Sequence, residues 1–531
     1  MQSAPVTPGV TALDAIESGA QPRLSQPWHI WLACACVTAA NQADPPIWLL
    51  LSSVPEQSFG AAWVRYWSIA STTTVTLLLF IIAGGVLGDL LGRRRVLLTG
   101  VALYVASAGL SLGAVGAGWL LLGNALLGIG AALTIPLALA NIRLTFRQRR
   151  LPLALALHTA ISGVVSLGVA ALGPLIRAQF GWRALFLPPF LLGCIAFWVC
   201  WRHIPESRAE GSYRRSDAIA IAAWSLTILP ITYIAIKIGA VGFFSTVVYA
   251  SLGVAGIGFA CLVWQERRAA SPLRRSLPYP VRTLVIIIFT GLTLNFALWG
   301  YTVQIHRFLQ SVLNFSPVLA ALALVPSAIG IGVGFFTAAR LTRQRSPGGV
   351  IGGSLLVMAL AVICTSGVSL FFRAATPYWL LAALMVTLVL GYLFASTAWN
   401  SAYLSLVPTD LVGVGAAISS GAAQLGAVLA STLLGTLLID FGERDFEERL
   451  RSLGLSPEQG EQARAALALA LQADPTFDAA SLPAPIQALL GSYQESYAIA
   501  FGQVLLVAAL MLTICAGIVW FGLRALRPRT S

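Results

Sequence analysis

The sequence predicts an all-α polytopic membrane protein, and three observations support this. Hydrophobic residues make up 57% of the 531-residue chain, charged residues make up only 10%, and the mean hydropathy is +0.82. Apolar runs of about 20 residues, the length that crosses a bilayer as a helix, recur along the whole chain. A soluble protein of this length needs far more surface charge. Lipid offers the backbone no hydrogen-bond partners, so these runs are expected to be helices.

The apolar runs predict about fourteen spans. The predicted spans cover residues 28–52, 62–89, 95–114, 118–142, 152–176, 183–201, 217–239, 242–265, 281–309, 317–341, 349–372, 378–405, 412–440 and 498–522. A weak repeat supports this count, because the segment Gly334 to Arg345 resembles a reduced copy of Gly84 to Arg95. The repeat predicts two six-helix bundles with an inserted helix pair between them, an arrangement typical of alternating-access carriers.

The predicted domain organisation follows from these spans. It comprises a disordered cytoplasmic N-terminus (1–27), an N-terminal six-helix bundle (28–201), a cytoplasmic loop (202–216), the inserted helix pair (217–266), a second cytoplasmic loop (267–280), a C-terminal six-helix bundle (281–523) and a cytoplasmic tail (524–531). The last bundle contains a long outer loop, 441–497, in which Phe446, Leu450 and Leu453 have helical spacing. We expect short amphipathic helices there, either as a passive insertion or as a gate at the outer mouth.

The formal charge of +13 is interpreted as loop charge, not as a nucleic-acid footprint. Arginines concentrate in alternate connections, so the positive-inside rule places both termini in the cytoplasm and the protein in the cell inner (plasma) membrane. Lys237 is the only lysine and is followed by Ile238, which excludes a P-loop lysine followed by Ser or Thr. No metal-ligand spacing or catalytic constellation is present, so we expect no metal, no cofactor and no enzymatic activity.

The segment Gly84 to Arg95 places glycines at helical spacing just before an acid and a basic cluster. Gly84, Gly88 and Gly92 are expected to share one bare helix face that another helix can approach. The segment resembles the signature loop of the major facilitator superfamily, G-x-L-a-D-r-x-G-r-k. Leu90 departs from the pattern at a usually basic position, and the matching residues are Gly85, Leu87, Asp89, Gly92, Arg93 and Arg94. Without the glycines and the acid, the arginines could be only a topology anchor.

The resemblance implies a major facilitator fold and a conformational switch. In that family the loop acid contacts the start of a span in the other bundle and holds one state closed. The corresponding partner here lies near Thr409 to Gly413, at the start of span 13. The best match is to the fourteen-span drug:proton antiporter branch, whose fourth span carries an arginine where this chain has Asn124. That departure puts the usual route of proton coupling in doubt, because asparagine cannot titrate.

Two further features concern coupling. Gly173 and Pro174 resemble a degraded form of the antiporter-associated motif in span 5, and the alternative is a simple helix kink. Asp44 lies within span 1, and Pro45 and Pro46 follow it. An acid at bilayer depth usually carries function. We therefore assign proton coupling to Asp44, with a solvated position at the outer interface as the alternative.

Polar and aromatic residues within the spans are candidates for a substrate cavity, although each could be an ordinary packing residue. They are Asn41, Gln42, Asn124, Asn295, Trp299, Tyr301, Gln304, Trp399, Asn400 and Gln424. Their mixture of amides and aromatic rings suits a large amphipathic substrate. His158 and the pair His306 and Arg307 are expected to be interfacial.

The sequence thus predicts a secondary active transporter, similar to multidrug exporters, that moves amphipathic small molecules or drugs in exchange for protons. The expected partners are the lipid bilayer, the substrate, protons and periplasmic proteins, with no nucleic acid. One alternative is a specific metabolite or lipid carrier with weak or no proton coupling, which Asn124 favours. A different class, a non-transporting membrane receptor, is disfavoured by the glycine-rich spans and the two-bundle repeat.

Overall fold

The computed structural model describes residues 27–51, 66–146, 149–208, 222–234, 245–268, 281–452 and 484–523. These residues form α-helices joined by turns and short 3-10 helices. The all-α prediction is therefore confirmed for this part of the chain. No β-strand occurs within it, as expected for apolar segments that must satisfy their own backbone hydrogen bonds.

The first half of the chain forms nine helices in the described ranges, and the second half forms seven. The first nine are α1 (Pro27–Ala43), α2 (Pro45–Leu51), α3 (Tyr66–Leu91), α4 (Arg93–Leu112), α5 (Ala117–Thr145), α6 (Leu151–Phe180), α7 (Leu187–His203), α8 (Ala222–Ile234) and α9 (Thr246–Arg268). The others are α10 (Val281–Ser311), α11 (Pro317–Leu322), α12 (Ser327–Gln344), α13 (Pro347–Phe372), α14 (Tyr378–Leu406), α15 (Val412–Ser452) and α16 (Ala484–Gly522).

Twelve helical segments of the described ranges are long and apolar enough to cross a membrane. The helices α1 and α8 lie at the predicted spans 1 and 7 but are shorter, at 17 and 13 residues. Apolar helices of this kind confirm a polytopic membrane protein. The count of fourteen spans stays a prediction.

The helices pack as two groups that correspond to the predicted bundles. Within the first group, α3 and α4 each pack on α5, and α1 packs on α7. Within the second, α10 packs on α15, and α13 packs on both α14 and α16. The two groups meet where α3 packs against α15 and where α6 packs against α12. The domain boundaries stated above stay predictions.

The described part of the predicted inserted pair packs on α3. The indole Nε1 of Trp224 in α8 donates to the carbonyl of Leu78 at 3.3 Å, and the hydroxyl of Ser225 donates to that of Leu79 at 3.4 Å. Ile228 joins a buried cluster that includes Ala417 of α15. Helix α8 therefore lies beside the line along which the two groups meet.

The first and last described helices reach the same end of the molecule. The rings of His29, near the start of α1, and His203, at the end of α7, are 5.0 Å apart. Leu523, just after α16, packs on Gly348 at the start of α13. The loop that contains Asp89 lies at this end too, because Arg94 donates to the carbonyl of Trp201 in α7 at 2.7 Å. We call it the Asp89 end.

The long outer loop is partly helical. Helix α15 continues to Ser452 and α16 begins at Ala484, so both helices extend into the predicted loop 441–497. Phe446, Leu450 and Leu490 form a small buried cluster between the two extensions. Apolar residues at helical spacing are therefore present as expected, although they continue a span instead of forming separate helices. Leu453 and the segment 465–471 lie outside the described residues.

Two of the three spaced glycines, Gly84 and Gly88, permit close packing of α3 as expected, and the third, Gly92, does not take part. A Cβ atom on Gly84 would meet the backbone carbonyl of Ala132 in α5, and one on Gly88 would meet the side chain of Leu137. Gly92 does not share this face, because α3 ends at Leu91 and Gly92 has a φ of 112°. The positive φ suits glycine, which carries no Cβ, and it allows the chain to turn directly into α4.

Candidate functional site

The Asp89 carboxylate joins the two helix groups. Its Oδ1 accepts a hydrogen bond from the backbone N–H of Gly413 at 3.2 Å, and its Oδ2 accepts one from that of Val414 at 3.1 Å. These N–H groups belong to the first turn of α15, where the helix dipole favours a negative charge. Asp89 thus caps a helix of the opposite group. The predicted contact near Thr409 to Gly413 is confirmed.

Arg93 completes this contact from one turn further along the chain. Its Nε donates to Asp89 Oδ1 at 2.9 Å, and its Nη2 donates to the carbonyl of Thr409 at 3.3 Å. The Asp89 and Arg93 side chains are only 6% and 4% exposed. A shielded ion pair of this kind is costly to break, because the remaining charge would be left without a partner.

Gly92 and Arg94 of the predicted switch loop contact their own helix group. Glu206 accepts from the backbone N–H of Arg94 at 3.2 Å and lies 3.5 Å from Arg95. Its carboxylate also occupies the space beside Gly92 that a side chain would need. A second tie between the groups is made by Arg143 of α5, whose Nε donates to the carbonyl of Leu404 in α14 at 2.9 Å. The Asp89 end of the molecule is therefore closed by polar contacts.

Asp44 lies at a break in the helix of span 1. Helix α1 ends at Ala43 and α2 begins at Pro45, as the two prolines suggest. The Asp44 carboxylate accepts from the indole of Trp48 at 3.1 Å. The residue is 8% exposed and has no ion-pair partner within the described ranges, so the alternative of a solvated interfacial acid does not fit. Asp44 does not line the central cavity described below.

The Gly173–Pro174 pair supports the short helix that follows Asp44. Both residues lie inside α6, and the side chain of Leu50 in α2 occupies the space above Gly173. One turn later, Arg177 donates to the carbonyl of Leu50 at 3.0 Å and so stabilises the end of α2. Arg177 therefore links α6 to the end of α2.

A central cavity of about 330 Å³ lies between the two helix groups. One wall comes from α1, α5 and α6, and the other from α10, α12, α14 and α15, with aromatic, aliphatic, hydroxyl and amide groups on both. Eight of the ten sequence-predicted cavity residues lie on its wall. They are Asn41, Gln42, Asn295, Trp299, Tyr301, Trp399, Asn400 and Gln424.

Hydrogen bonds hold several of these side chains in place. Asn295 donates to the carbonyl of Gly291 at 3.0 Å and accepts from the hydroxyl of Tyr392 at 3.3 Å. The indole of Trp399 donates to the carbonyl of Ile287 at 2.6 Å and packs its ring on Gly291. These hydrogen bonds favour one rotamer each for Asn295 and Trp399.

Asn124 and Gln304, two of the predicted cavity residues, lie away from this cavity. Asn124 is buried against α3, where its Oδ1 accepts from the hydroxyl of Thr73 at 3.0 Å. Gln304 is fully buried beside Gly435, between α10 and α15. Both residues point into contacts within one helix group. The sequence predicted correctly that their helices α5 and α10 line the cavity, but these two residues lie on other faces of those helices.

Both histidines that were expected to be interfacial are buried inside the protein. His158 lies on the cavity wall and bonds through Nε2 to the hydroxyl of Thr38 at 3.0 Å. His306 is 3% exposed and bonds to Gln310 at 2.7 Å. Thr38 and Tyr392 also lie on the wall, although the sequence did not predict them there. Thr38 could have been predicted, because it is a polar residue on the same helix turn as Asn41. Nothing in the sequence distinguishes Tyr392 from other aromatic residues of the spans.

No aspartate, glutamate, lysine or arginine is among the described residues of the cavity wall. The wall can therefore offer hydrogen bonds and aromatic faces but no formal charge while His158 is neutral. Such a cavity suits a small amphipathic molecule, since polar groups that fix orientation are few and apolar groups dominate.

Comparison with known proteins agrees with this architecture. The family model described as Major Facilitator Superfamily matches residues 30–431. The multidrug efflux pump LfrA of Mycolicibacterium smegmatis is 28% identical over 484 residues, which cover 89% of this chain and 92% of that protein. The tetracenomycin C resistance and export protein of Streptomyces glaucescens is 25% identical, with 94% of this chain and 92% of that protein covered.

Another relative is the methyl viologen resistance protein SmvA of Salmonella typhimurium, 26% identical over 84% of this chain and 88% of that protein. Among solved structures, the human organic anion transporter MFSD10 superposes with a TM-score of 0.59 at 12% identity, covering 93% of this chain and all of that chain. The proton:xylose symporter XylE superposes with a TM-score of 0.56 at 15% identity, covering 92% of this chain and 95% of that chain. These likenesses show the fold.

Proposed function

Because the chain belongs to the major facilitator superfamily, we propose that it exports amphipathic small molecules in exchange for protons by alternating access. The observation that carries this proposal is the uncharged cavity between two helix groups that are joined at one end by Asp89. Relatives named as a multidrug efflux pump and as an export protein support the direction and the substrate class. The chain is a multi-pass membrane protein that handles small molecules in the bilayer.

In this mechanism the two helix groups rock around the cavity. Asp89 and Arg93 hold one end closed, and their contacts with α15 and with Thr409 must break before that end can open. Asp44 is the proton-coupling residue of the proposal, since it is a buried acid at a helix break and has no ion-pair partner among the described residues. Gain or loss of a proton there changes the charge beside α2, and α2 is held by Arg177 of α6.

The proposal includes a location and partners. The arginine-rich Asp89 end faces the cytoplasm by the positive-inside rule, so both termini are cytoplasmic in the cell inner membrane. Protons and the substrate are the small partners. Periplasmic proteins are candidate partners for the outer extensions of α15 and α16.

The test is substrate-dependent proton flux in proteoliposomes across a panel of amphipathic compounds. The wild type is expected to release protons from acidified vesicles when a substrate is added outside. Asp44→Asn is expected to abolish transport driven by the pH gradient while substrate exchange at equal pH continues, because only proton exchange is lost. Full pH-driven transport by Asp44→Asn would refute the coupling assignment.

A carrier without proton coupling is the second candidate function. It is favoured by Asn124, which stands where the family has an arginine and cannot titrate. Substrate counterflow that does not respond to a pH gradient, in the wild type as well as in Asp44→Asn, would identify it. Absence of any flux across the panel would favour a membrane receptor.

A further inference from the structure

Five exposed arginines lie where α6 and α12 meet at the Asp89 end. Arg149 and Arg150 directly precede α6, and Arg340, Arg343 and Arg345 lie at or just after the end of α12. None of their side chains forms a hydrogen bond or an ion pair with another described residue. Helix α6 belongs to the first helix group and α12 to the second. Positive charge from both groups is therefore not balanced by the described residues here.

The two sets of arginines lie at the same depth. Helices α6 and α12 are in contact, and the side chain of Ile331 occupies the space beside Gly163. From this contact, α6 runs back to its start and α12 runs on to its end, both toward the Asp89 end. Arg150 is thirteen residues from Gly163 and Arg343 is twelve from Ile331, a distance of about 18–20 Å along each helix. We call this pair of helix ends the α6–α12 seam.

Both side chains lie on the side of the seam that faces lipid. Arg150 precedes Val164 by fourteen residues, about four helical turns, and Arg343 follows Phe336 by seven, about two turns. Each arginine thus shares a helix face with its apolar partner. Val164 and Phe336 are 54% and 65% exposed within membrane-spanning segments, where the neighbour of an exposed apolar side chain is a lipid tail. None of the four residues lines the central cavity.

This arrangement matches the parts of a phospholipid. The phosphate of a lipid lies at the level where the apolar segments end, and its acyl chains lie beside those segments. The guanidinium group binds phosphate well, because several N–H donors point from one plane at the same anion. Arg150 and Arg343 are placed to meet the phosphate, and Val164, Val333 and Phe336 are placed to meet an acyl chain.

We propose that the α6–α12 seam binds one anionic phospholipid, whose headgroup bridges Arg150 of one helix group and Arg343 of the other. Without an anion, like charges from the two groups repel each other across the closed end. A bound headgroup replaces this repulsion with attraction to both groups, so it stabilises the closed state beside the Asp89 contact. The site is separate from the central cavity and does not depend on the proposed export.

The experiment measures lipid binding to the purified full chain in detergent by native mass spectrometry. The probes are dioleoyl phosphatidylglycerol, which is anionic, and dioleoyl phosphatidylcholine, which has the same acyl chains and no net charge. The wild type is expected to bind the first phosphatidylglycerol about 25-fold more tightly, since each arginine beside an anionic headgroup contributes about fivefold. Inorganic phosphate is expected to compete only at far higher concentration, because it cannot use the apolar face.

Substitution of the two arginines tests the bridge. Arg150→Gln and Arg343→Gln are each expected to lower the affinity for phosphatidylglycerol about fivefold, and the double variant is expected to lose the preference over phosphatidylcholine. The matched control combines Arg202→Gln with Arg208→Gln, which removes two exposed arginines on and just after α7 at the same end. The control is expected to keep the preference, because α7 packs on α1 and α4.

Three results would overturn the inference. Equal wild-type affinity for the two lipids, or an equal loss in the control, would show that no specific site is present. A loss in only one of the two single variants would refute the bridge between the helix groups. Displacement of phosphatidylglycerol by an equal concentration of inorganic phosphate would refute the assignment to a phospholipid. The apparent Tm of each variant in detergent reports folding, and the wild-type comparison decides where a variant does not fold.

Discussion

At the scale of single residues, Asp89 carries the contact that closes one end of the molecule. Its carboxylate accepts two backbone hydrogen bonds from α15 and pairs with Arg93. Each of these interactions crosses or supports the boundary between the helix groups, and none of them lies in the cavity. In the proposed mechanism, Asp89 therefore sets the balance between closed and open states and not the affinity for substrate.

Asp89→Asn is expected to favour opening at this end. The substitution leaves Arg93 buried without a counter-charge and keeps only one acceptor oxygen, at a cost of about 3 kcal/mol to the closed state. That cost corresponds to more than about a hundredfold in the closed-to-open ratio. The measurement is the distance between spin labels at positions 91 and 409, on opposite sides of the contact, after removal of the native cysteines.

Glu206→Gln is the matched control, because it removes an exposed acid that contacts the same loop from the segment after α7, and its contacts remain within one helix group. Its distance distribution is expected to match that of the parent protein. An unchanged distribution in Asp89→Asn would contradict the role assigned to Asp89.

Residue-level prediction from the sequence succeeded where a short motif contains the whole interaction. Asp89 and Arg93 are four residues apart, and the motif also implied the contact with α15. It failed for Asn124 and Gln304, because burial inside a membrane protein does not follow a polar face. Their helices are apolar all around, so the rotation of each helix, and hence the face that meets the cavity, is set by tertiary packing.

At the scale of helices, two adjacent glycines of α3 face different neighbours. A side chain on Gly84 would collide with the carbonyl of Ala132 in α5, within the same group. A side chain on Gly85 would meet the carbonyl of Gly413 at 2.5 Å and the Cβ of Ala417 at 2.7 Å, both in α15 of the other group. One glycine thus supports folding and the next supports closure.

Gly84→Val and Gly85→Val are expected to have distinct effects. Gly84→Val overpacks the α3–α5 contact and should destabilise the folded protein by about 1–3 kcal/mol, seen as a lower apparent Tm in detergent. Gly85→Val should leave the Tm closer to that of the wild type and lengthen the label distance described for Asp89→Asn. Gly353→Val is the control, since nothing lies within 4 Å of a Cβ at that position. Identical behaviour of the two variants would refute the distinction.

The existence and order of the helices could be read from the sequence, since hydrophobic length is a strong signal. The ends were less predictable. Gly92 was expected to share a helix face with Gly84 and Gly88, yet the chain turns there because Gly92 takes a positive φ beside Glu206. Helix α15 was expected to end near residue 440, but it continues because Phe446 and Leu450 find Leu490 of α16 as a partner.

At the scale of the whole molecule, the polar ties between the groups that we describe lie at the Asp89 end. They are the Asp89 contact, the Arg93 contact with Thr409 and the Arg143 contact with Leu404. At the opposite end the contact is apolar, with Ala321 of α11 in a cluster that contains Ile47 of α2 and Val169 of α6. The two ends are therefore held by different kinds of interaction.

Rigid rocking predicts opposite movements at the two ends. In Asp89→Asn combined with Arg143→Met, labels at positions 91 and 409 should move apart while labels at 180 and 318, at the opposite end, move closer. Phe180 and Val318 are exposed, at 73% and 42%, and tolerate labels. An increase of both label distances would indicate that the two helix groups separate instead of rocking. The single variant Arg143→Met shows how much of the change in the double variant comes from each substitution.

The uncharged wall of the cavity has a consequence for the energy source. If each neutral cargo molecule leaves as one proton enters, every cycle moves one net positive charge across the membrane. The membrane potential then adds about 2.3 kcal/mol per 100 mV to the driving force, even where the pH gradient has collapsed. Exchange of a monovalent cation for one proton would gain nothing from the voltage. The charge of the cargo can therefore be determined by clamping the membrane potential with potassium and valinomycin. A flux that changes with the potential indicates a neutral cargo, and a flux that does not change indicates a monovalent cation.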